Sequence, residues 1–313
     1  MNTPDRRAFL KTAALGLGGI SPLRSAFSAP PETCGLGIGT YGLQSLPLGE
    51  ALASVAATGY DCVEITAFPG FTGDPKTLIG EGRKNIGKQL GDTGLRLSAL
   101  MADLPPSADL GMHRGQTESL LRLCELGRDL SPDRVPLVQT VLGGKDWDDD
   151  KGRLRDRLAD WLQVCADQKI VLAIKPHRGN AMSRPADAIW LFEQLGGSPW
   201  LRMVYDYSHF HLREPAMSIP ETVAQSLPWT AYVASKDAVL RDGKVVFALT
   251  GEGGGFDHAD IIRAFHAGGY RGDFCCEVSS QLWKAPGYDA AEALRICYRH
   301  LAAAFERAGV ARG

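Results

Sequence analysis

From Cys34 onward the chain alternates short, apolar, β-rich runs with segments of helical period, and the alternation repeats eight times. A regular strand-then-helix order builds a parallel sheet covered by helices, and eight such units suffice to close the sheet on itself. The expected fold is therefore α/β, a (β/α)8 TIM barrel. Strands are expected over 35–43, 61–68, 95–101, 135–142, 170–177, 201–208, 230–236 and 273–279. The helices between and after them fall near 48–58, 75–93, 115–130, 150–168, 185–196, 218–227, 258–268 and 288–308. Gly251-Glu252-Gly253-Gly254-Gly255 reads as a flexible loop between the seventh strand and its helix. At 313 residues with 44% hydrophobic side chains, the chain can bury one such core without a second domain.

Residues 1–28 stand outside this pattern. Arg6-Arg7-Ala8-Phe9-Leu10-Lys11 precedes a Gly-rich, weakly apolar run and then Ala26-Phe27-Ser28, an order that resembles a twin-arginine (Tat) export signal, with Asp5 where Ser or Thr is usual. The apolar run is too short to span a bilayer, so cleavage is expected, leaving a 29–313 barrel domain in the periplasm with no membrane anchor. Losing four basic side chains (Arg6, Arg7, Lys11, Arg24) and one acid (Asp5) moves the formal charge from −2 to −5. That balance, with no basic patch interleaved with aromatics, speaks against nucleic acid as a partner. The seven cysteines lack metal-type spacing. A Tat substrate folds in the reducing cytoplasm, so Cys62, Cys124, Cys165 and Cys297 are read as small buried hydrophobes and Cys275-Cys276 as strand core.

Chemistry in such a barrel sits at the C-terminal ends of the strands, and period-two alternation selects the side chains that point inward there. On that count Lys175 and His177 end the fifth strand on the inner face, Asp206 and Ser208 the sixth, and Glu277 and Ser279 the eighth. Glu64, Gln139, Ala234 and Lys236 also face the axis. Charges converging on one rim are either paired with each other or part of a site. Trp283, in the loop after the last strand, is the tryptophan best placed to stack on a bound ligand. His211, His258 and His266 read as surface or loop histidines, and Asp146 to Asp150 as the solvated acidic start of the fourth helix.

Three stretches, Val204-Tyr205-Asp206-Tyr207-Ser208-His209-Phe210, Ser235-Lys236-Asp237 with Gly251-Glu252-Gly253, and Gly269-Tyr270-Arg271-Gly272 leading to Cys276-Glu277, resemble the xylose isomerase-like family. That family includes sugar isomerases, ketose 3-epimerases and related endonucleases. Its sugar-processing members hold a divalent metal on a Glu, an Asp, a His and a Glu ending the fifth to eighth strands. The resemblance matches Asp206 and Glu277 to the second and fourth of these ligands. Lys175 stands where the first would be and Ala234 where the His would be.

A protonated Lys cannot ligate a hard cation and repels it, so the family-type site looks half lost. The expected cofactor is none, or a weakly held Mn, Mg, Zn or Co ion; His177 and His209 could rebuild a set with Asp206 and Glu277. The alternative is that the Lys175 ammonium supplies the positive charge itself. One carboxylate and one Lys suit proton abstraction next to a carbonyl, with Glu277 as base and Lys175, Asp206 and His209 organising the substrate oxygens. His177, Lys236, Glu64, Gln139 and Trp283 would line the pocket of a small carbohydrate. The reaction could be isomerisation, epimerisation or β-elimination, and a Schiff base through Lys175 is a further route. A non-catalytic carbohydrate-binding barrel is the rival reading.

Overall fold

The computed structural model describes residues 33–313, so the export signal read over 1–28 lies outside the described residues. Eight parallel strands close into a barrel: β1 (Gly35–Gly39), β2 (Cys62–Thr66), β3 (Arg96–Met101), β4 (Leu137–Thr140), β5 (Leu172–Ile174), β6 (Leu201–Tyr205), β7 (Thr230–Ser235) and, last, Asp273–Cys276, which two further strands precede in the chain. The major helices follow the expected segments: α1 (Leu48–Thr58), α2 (Glu81–Thr93), α3 (Leu110–Leu130), α4 (Trp147–Gln168), α5 (Pro185–Gln194), α6 (Ile219–Ser226) and α7 (His258–Ala267). A one-turn α8 (Ser280–Trp283) and the long α9 (Ala290–Ala308) close the chain. No helix among the described residues is long and apolar enough to cross a membrane.

Several boundaries that differ from expectation have a local cause. The helix expected from 75 begins only at Glu81, because Gly80 adopts a left-handed φ of 52° that interrupts a helix before it. The third helix starts early, at Leu110, where the Asp109 carboxylate accepts the Met112 N–H. The acidic run before α4 behaves as read: Asp146 caps the helix by accepting from Asp148 N and Asp149 N. All eight barrel strands are shorter than expected, and the first, fifth, sixth and last stop three residues or more before their expected ends. At Asp206 the carboxylate caps Ser208 N and turns the chain into a 3-10 turn, Tyr207–His209.

Two apolar cores separate as the pleat demands. The larger lies between strands and helices and contains Trp161, Phe192, Phe265 and Phe305. The smaller fills the barrel axis with Ala99, Ala173, Val204, Tyr232, Ala234 and Cys275, so the alternation assigned to the fifth to eighth strands is the one observed. β1 carries glycine at each inward position, and a Cβ on Gly37 would meet the sulfurs of Cys62 and Cys275 at 2.7 and 2.6 Å. The missing side chain is what lets those thiols pack across the axis. All seven cysteines are buried and unpaired.

One element was not foreseen. β8 (Asp237–Arg241) and β9 (Lys244–Ala248) form an antiparallel hairpin directly after β7, in a segment to which no element was assigned; the last barrel strand is accordingly β10 (Asp273–Cys276). Its two-residue turn is Asp242-Gly243, with φ of 50° and 72°, the pair of left-handed values that matches the twist of the flanking strands. Asp-Gly between Ala238-Val239-Leu240 and Val245-Val246-Phe247 was the legible signal.

Candidate active site

The strand ends deliver their polar residues to the C-terminal mouth through the backbone ladder. Lys175 continues β5 by donating its N–H to Thr140 O (3.0 Å), and Glu277 continues β10 by donating to Ser235 O (3.0 Å). Lys236 follows β7, and Asp206 follows β6. These four side chains form one buried cluster of alternating charge. Lys175 Nζ is hydrogen-bonded to Glu277 Oε2 and lies 3.4 Å from Asp206 Oδ2. Lys236 Nζ lies 2.5 Å from Glu277 Oε1 and 3.3 Å from Asp206 Oδ2. None of the four is more than 7% exposed.

Burial alone would raise the Glu277 carboxyl, but the Lys175 and Lys236 ammoniums outweigh it and hold the group down at about 2. Asp206 is lowered in the same way: burial is overcome by Lys236 and Lys175, with a further hydrogen bond from the Ser208 hydroxyl. Burial pulls Lys175 down, yet Glu277 and Asp206 together raise it above the ordinary lysine value. The amine stays an ammonium, which does not suit the Schiff-base route, since that route needs a lowered amine pKa.

Two histidines border the cluster, their rings 4.0 Å apart. Burial, with Lys236 and Lys175 beside it, lowers His177 to about 4, and burial, Lys236 and the neighbouring His177 hold His209 well below the ordinary histidine value. Both are neutral at pH 7. His177 Nδ1 accepts from Gly179 N–H and His209 Nδ1 from Arg178 N–H, so in each ring the proton sits on Nε2. The His209 Nε2 faces Asp206 Oδ2 at 3.4 Å.

Above the cluster opens a cavity of about 350 Å3 lined by Lys175, Lys236, Glu277, His177 and Gln139 from the expected set. Tyr41, Phe68, Asp103, Phe247, Ser280 and Gln281, which sequence reasoning missed, complete its wall. Phe247 comes from the unforeseen hairpin: its ring covers the Lys236 ammonium at 4.5 Å and the His209 ring at 5.1 Å, and its N–H donates to Gln281 Oε1. Glu64 and His209 lie beneath the wall. Glu64 accepts from Gln139 Nε2 (2.5 Å), and burial next to Glu277 raises it to about 7 against the pull of Lys175.

Two expectations are corrected. Trp283 does not line the cavity; it packs edge-on behind Tyr41 (5.4 Å) and against Phe71, and Tyr41, half-buried, is the ring that lines the cavity. His258, read as a surface residue, is buried and its Nε2 lies 2.6 Å from Asp237 Oδ1. Asp237 also accepts from Gly253 N–H, so it ties the hairpin base to the glycine loop.

The donor set does not fit the divalent metal of the sugar-processing relatives. Two ammoniums lie against the Asp206 and Glu277 oxygens that would ligate it, and Ala234 is packed in the axial core. His177 and His209 do not rebuild the site: among the described residues no group of three His, Cys, Asp or Glu side chains is arranged to hold a metal ion.

A closed eight-stranded parallel barrel with Lys175, Asp206, Lys236 and Glu277 gathered at its C-terminal mouth defines an α/β barrel of the TIM type. The model of the xylose isomerase-like TIM barrel matches residues 52–300, and the chain belongs to that family. No curated protein matches the chain. Among solved structures it is similar to an L-ribulose 3-epimerase, at 18% identity and TM-score 0.69, over 88% of this chain and 96% of that one. A D-psicose 3-epimerase determined in the presence of D-fructose aligns at 16% identity and TM-score 0.70, over 88% of this chain and 99% of that one. A xylose isomerase-like TIM barrel/4-hydroxyphenylpyruvate dioxygenase fusion protein aligns at 18% identity and TM-score 0.69, over 88% of this chain but 43% of the fusion. At these identities the likeness is one of fold.

Proposed function

We propose that this chain is a sugar isomerase/epimerase-like enzyme that removes a proton next to the carbonyl of a small sugar or keto sugar. The observation that carries the reading is the pair of ammoniums, Lys175 and Lys236, at the floor of a cavity of about 350 Å3, both in contact with Glu277. Abstraction moves the C–H proton to the Glu277 carboxylate and the bonding pair into a C=C bond. The carbonyl π pair moves onto oxygen, where Lys175 and Lys236 stabilise the enolate. A carboxylate held at about 2 is a weak base. A carbonyl oxygen seated between the ammoniums draws their N–H groups away from Glu277, and its basicity rises only once substrate is bound. Return of a proton to the opposite face of the same carbon gives epimerisation; return at the former carbonyl carbon, with the hydroxyl proton of the enediol passing from one oxygen to the other, gives isomerisation; departure of a β-hydroxyl as water, taking the proton held by Glu277, gives elimination. The family and the two epimerases of similar fold support a sugar as substrate.

The same depressed Glu277 favours one second reading, a carbohydrate-binding barrel without turnover. Solvent deuterium exchange into a panel of keto sugars separates the two. Exchange that vanishes in Glu277→Gln supports the enzyme; measurable binding with no exchange for any sugar supports the binding module. With the Arg6-Arg7 motif as export signal, either activity would operate in the periplasm.

A further inference from the structure

The geometry points to an uncharged ligand: a polyhydroxylated carbonyl sugar without phosphate or carboxylate. This inference rests on the enolisation reading for the ligand's carbonyl and on the charges of the cavity wall for the rest. An anionic ligand held in a small cavity needs a cation not already matched by an acid. Lys175 and Lys236 are each in ion-pair contact with both Glu277 and Asp206. The Phe247 ring covers Lys236 from the side of the roof. His177 is the remaining nitrogen base in the wall, and burial, with the two ammoniums beside it, keeps it neutral.

The cavity wall contains no arginine. The nearest in sequence, Arg178, spends its guanidinium on the carbonyl oxygens of Ser208, His211 and Leu212. Asp103, exposed at the mouth, adds a negative charge that an incoming phosphate or carboxylate would have to pass. What the wall offers instead is a set of neutral hydrogen-bonding groups, namely Tyr41, Gln139, Ser279, Ser280 and Gln281. These match hydroxyls. A carboxylate ligand on the ammoniums would compete with Glu277 for them and lie against that buried carboxylate's charge.

The test is direct binding, by calorimetry and ligand-observed NMR on the whole mature protein, of neutral ketohexoses, their 6-phosphates and a 2-keto-hexonate. The neutral sugars should bind, with the anionic compounds weaker by about tenfold or more. Glu277→Gln leaves two ammoniums facing Asp206 alone, so it should gain affinity for the anions and reverse the order. Should that variant not fold, the exposed Asp103→Lys should raise affinity for the 6-phosphates several-fold. Tighter binding of a 6-phosphate or keto acid to the unaltered protein overturns the inference, as does failure of every neutral ketohexose to bind at millimolar concentration. Deuterium exchange keeps the two ideas apart. Neutral sugars that bind without exchange refute the enolisation reading and leave this one standing; exchange confined to phosphorylated sugars does the reverse.

Discussion

Replacing Lys175 by methionine keeps the length of the side chain and removes one of the two charges that hold Glu277. A carboxyl at about 2 instead of its ordinary 4.5 contributes roughly 3 kcal/mol of folding stability at neutral pH, at about 1.4 kcal/mol per tenfold change in acidity. Removing one member of a buried pair costs about 3–5 kcal/mol, because the partner is left uncompensated. Lys175→Met is therefore expected to lose about 3–5 kcal/mol at pH 7.

The loss should depend on pH in a definite direction. In the unaltered protein the Glu277 contribution is present above 4.5 and is lost as pH falls toward 2. In the variant the carboxyl protonates at higher pH, which relieves the buried charge, so the gap between the two proteins narrows from pH 7 to pH 4. Lys175 itself adds no slope there: its raised pKa gives a contribution constant below the ordinary lysine value. Urea denaturation of both proteins at the two pH values measures the gap. A gap under about 1 kcal/mol, or one unchanged between pH 7 and pH 4, would refute the clamp that the surrounding distances imply. Proton exchange with solvent should fall by about a hundredfold or more, as for loss of one donor to a developing oxyanion.

Glu64→Gln should flatten the stability profile between pH 4.5 and 7. A carboxyl raised to about 7 by burial stays protonated in the folded chain while the unfolded chain ionises, so stability declines across that window and the amide removes the decline. The double change Lys175→Glu and Ala234→His replaces an ammonium and a methyl by two ligands next to Asp206 and Glu277. It should convert the site to one that binds Mn2+ or Co2+ in calorimetry, and no gain would mean that the matched strand positions are wrong. Arg6→Lys with Arg7→Lys should retain the protein in the cytoplasmic fraction when cells are fractionated, whereas unaffected export would refute the twin-arginine reading.

The barrel was legible because a parallel sheet buried on both faces imposes a strand-helix rhythm on every unit, and inward positions follow from a period of two. Lys175, Lys236, Asp206 and Glu277 were reached by that counting alone, and the structure brings them into mutual contact. Lys236 was placed only as a pocket residue, since alternation gives the face of a side chain and says nothing about which carboxylate it meets. Phe247 and Tyr41 were missed for a different reason. Phe247 lies on the hairpin strand β9 and Tyr41 in the 3-10 turn that follows β1, both outside the barrel strands, where position depends on turn geometry; Asp242-Gly243 announced the hairpin, but nothing in the spacing announced that the Phe247 ring would cover Lys236. Trp283 illustrates the opposite error. A large aromatic in the right loop was read as a platform, yet Tyr41 stands between it and the cavity.

Two lysine ammoniums deliver between Asp206 and Glu277 the same formal charge as one divalent cation, but as donors tethered to β5 and β7. A bound ion polarises a carbonyl without giving up a proton and leaves when chelated. An ammonium stabilises the enolate through N–H bonds and cannot be extracted. If the lysines carry the electrostatic role, exchange into a keto sugar should survive prolonged treatment with EDTA and should not rise on adding Mn2+ or Mg2+. It should instead collapse on Lys236→Met, since Lys236 holds Glu277 at 2.5 Å from the side opposite Lys175. Chelator-sensitive exchange restored by a metal would place the catalytic charge on an ion and remove the reason for assigning it to these two side chains.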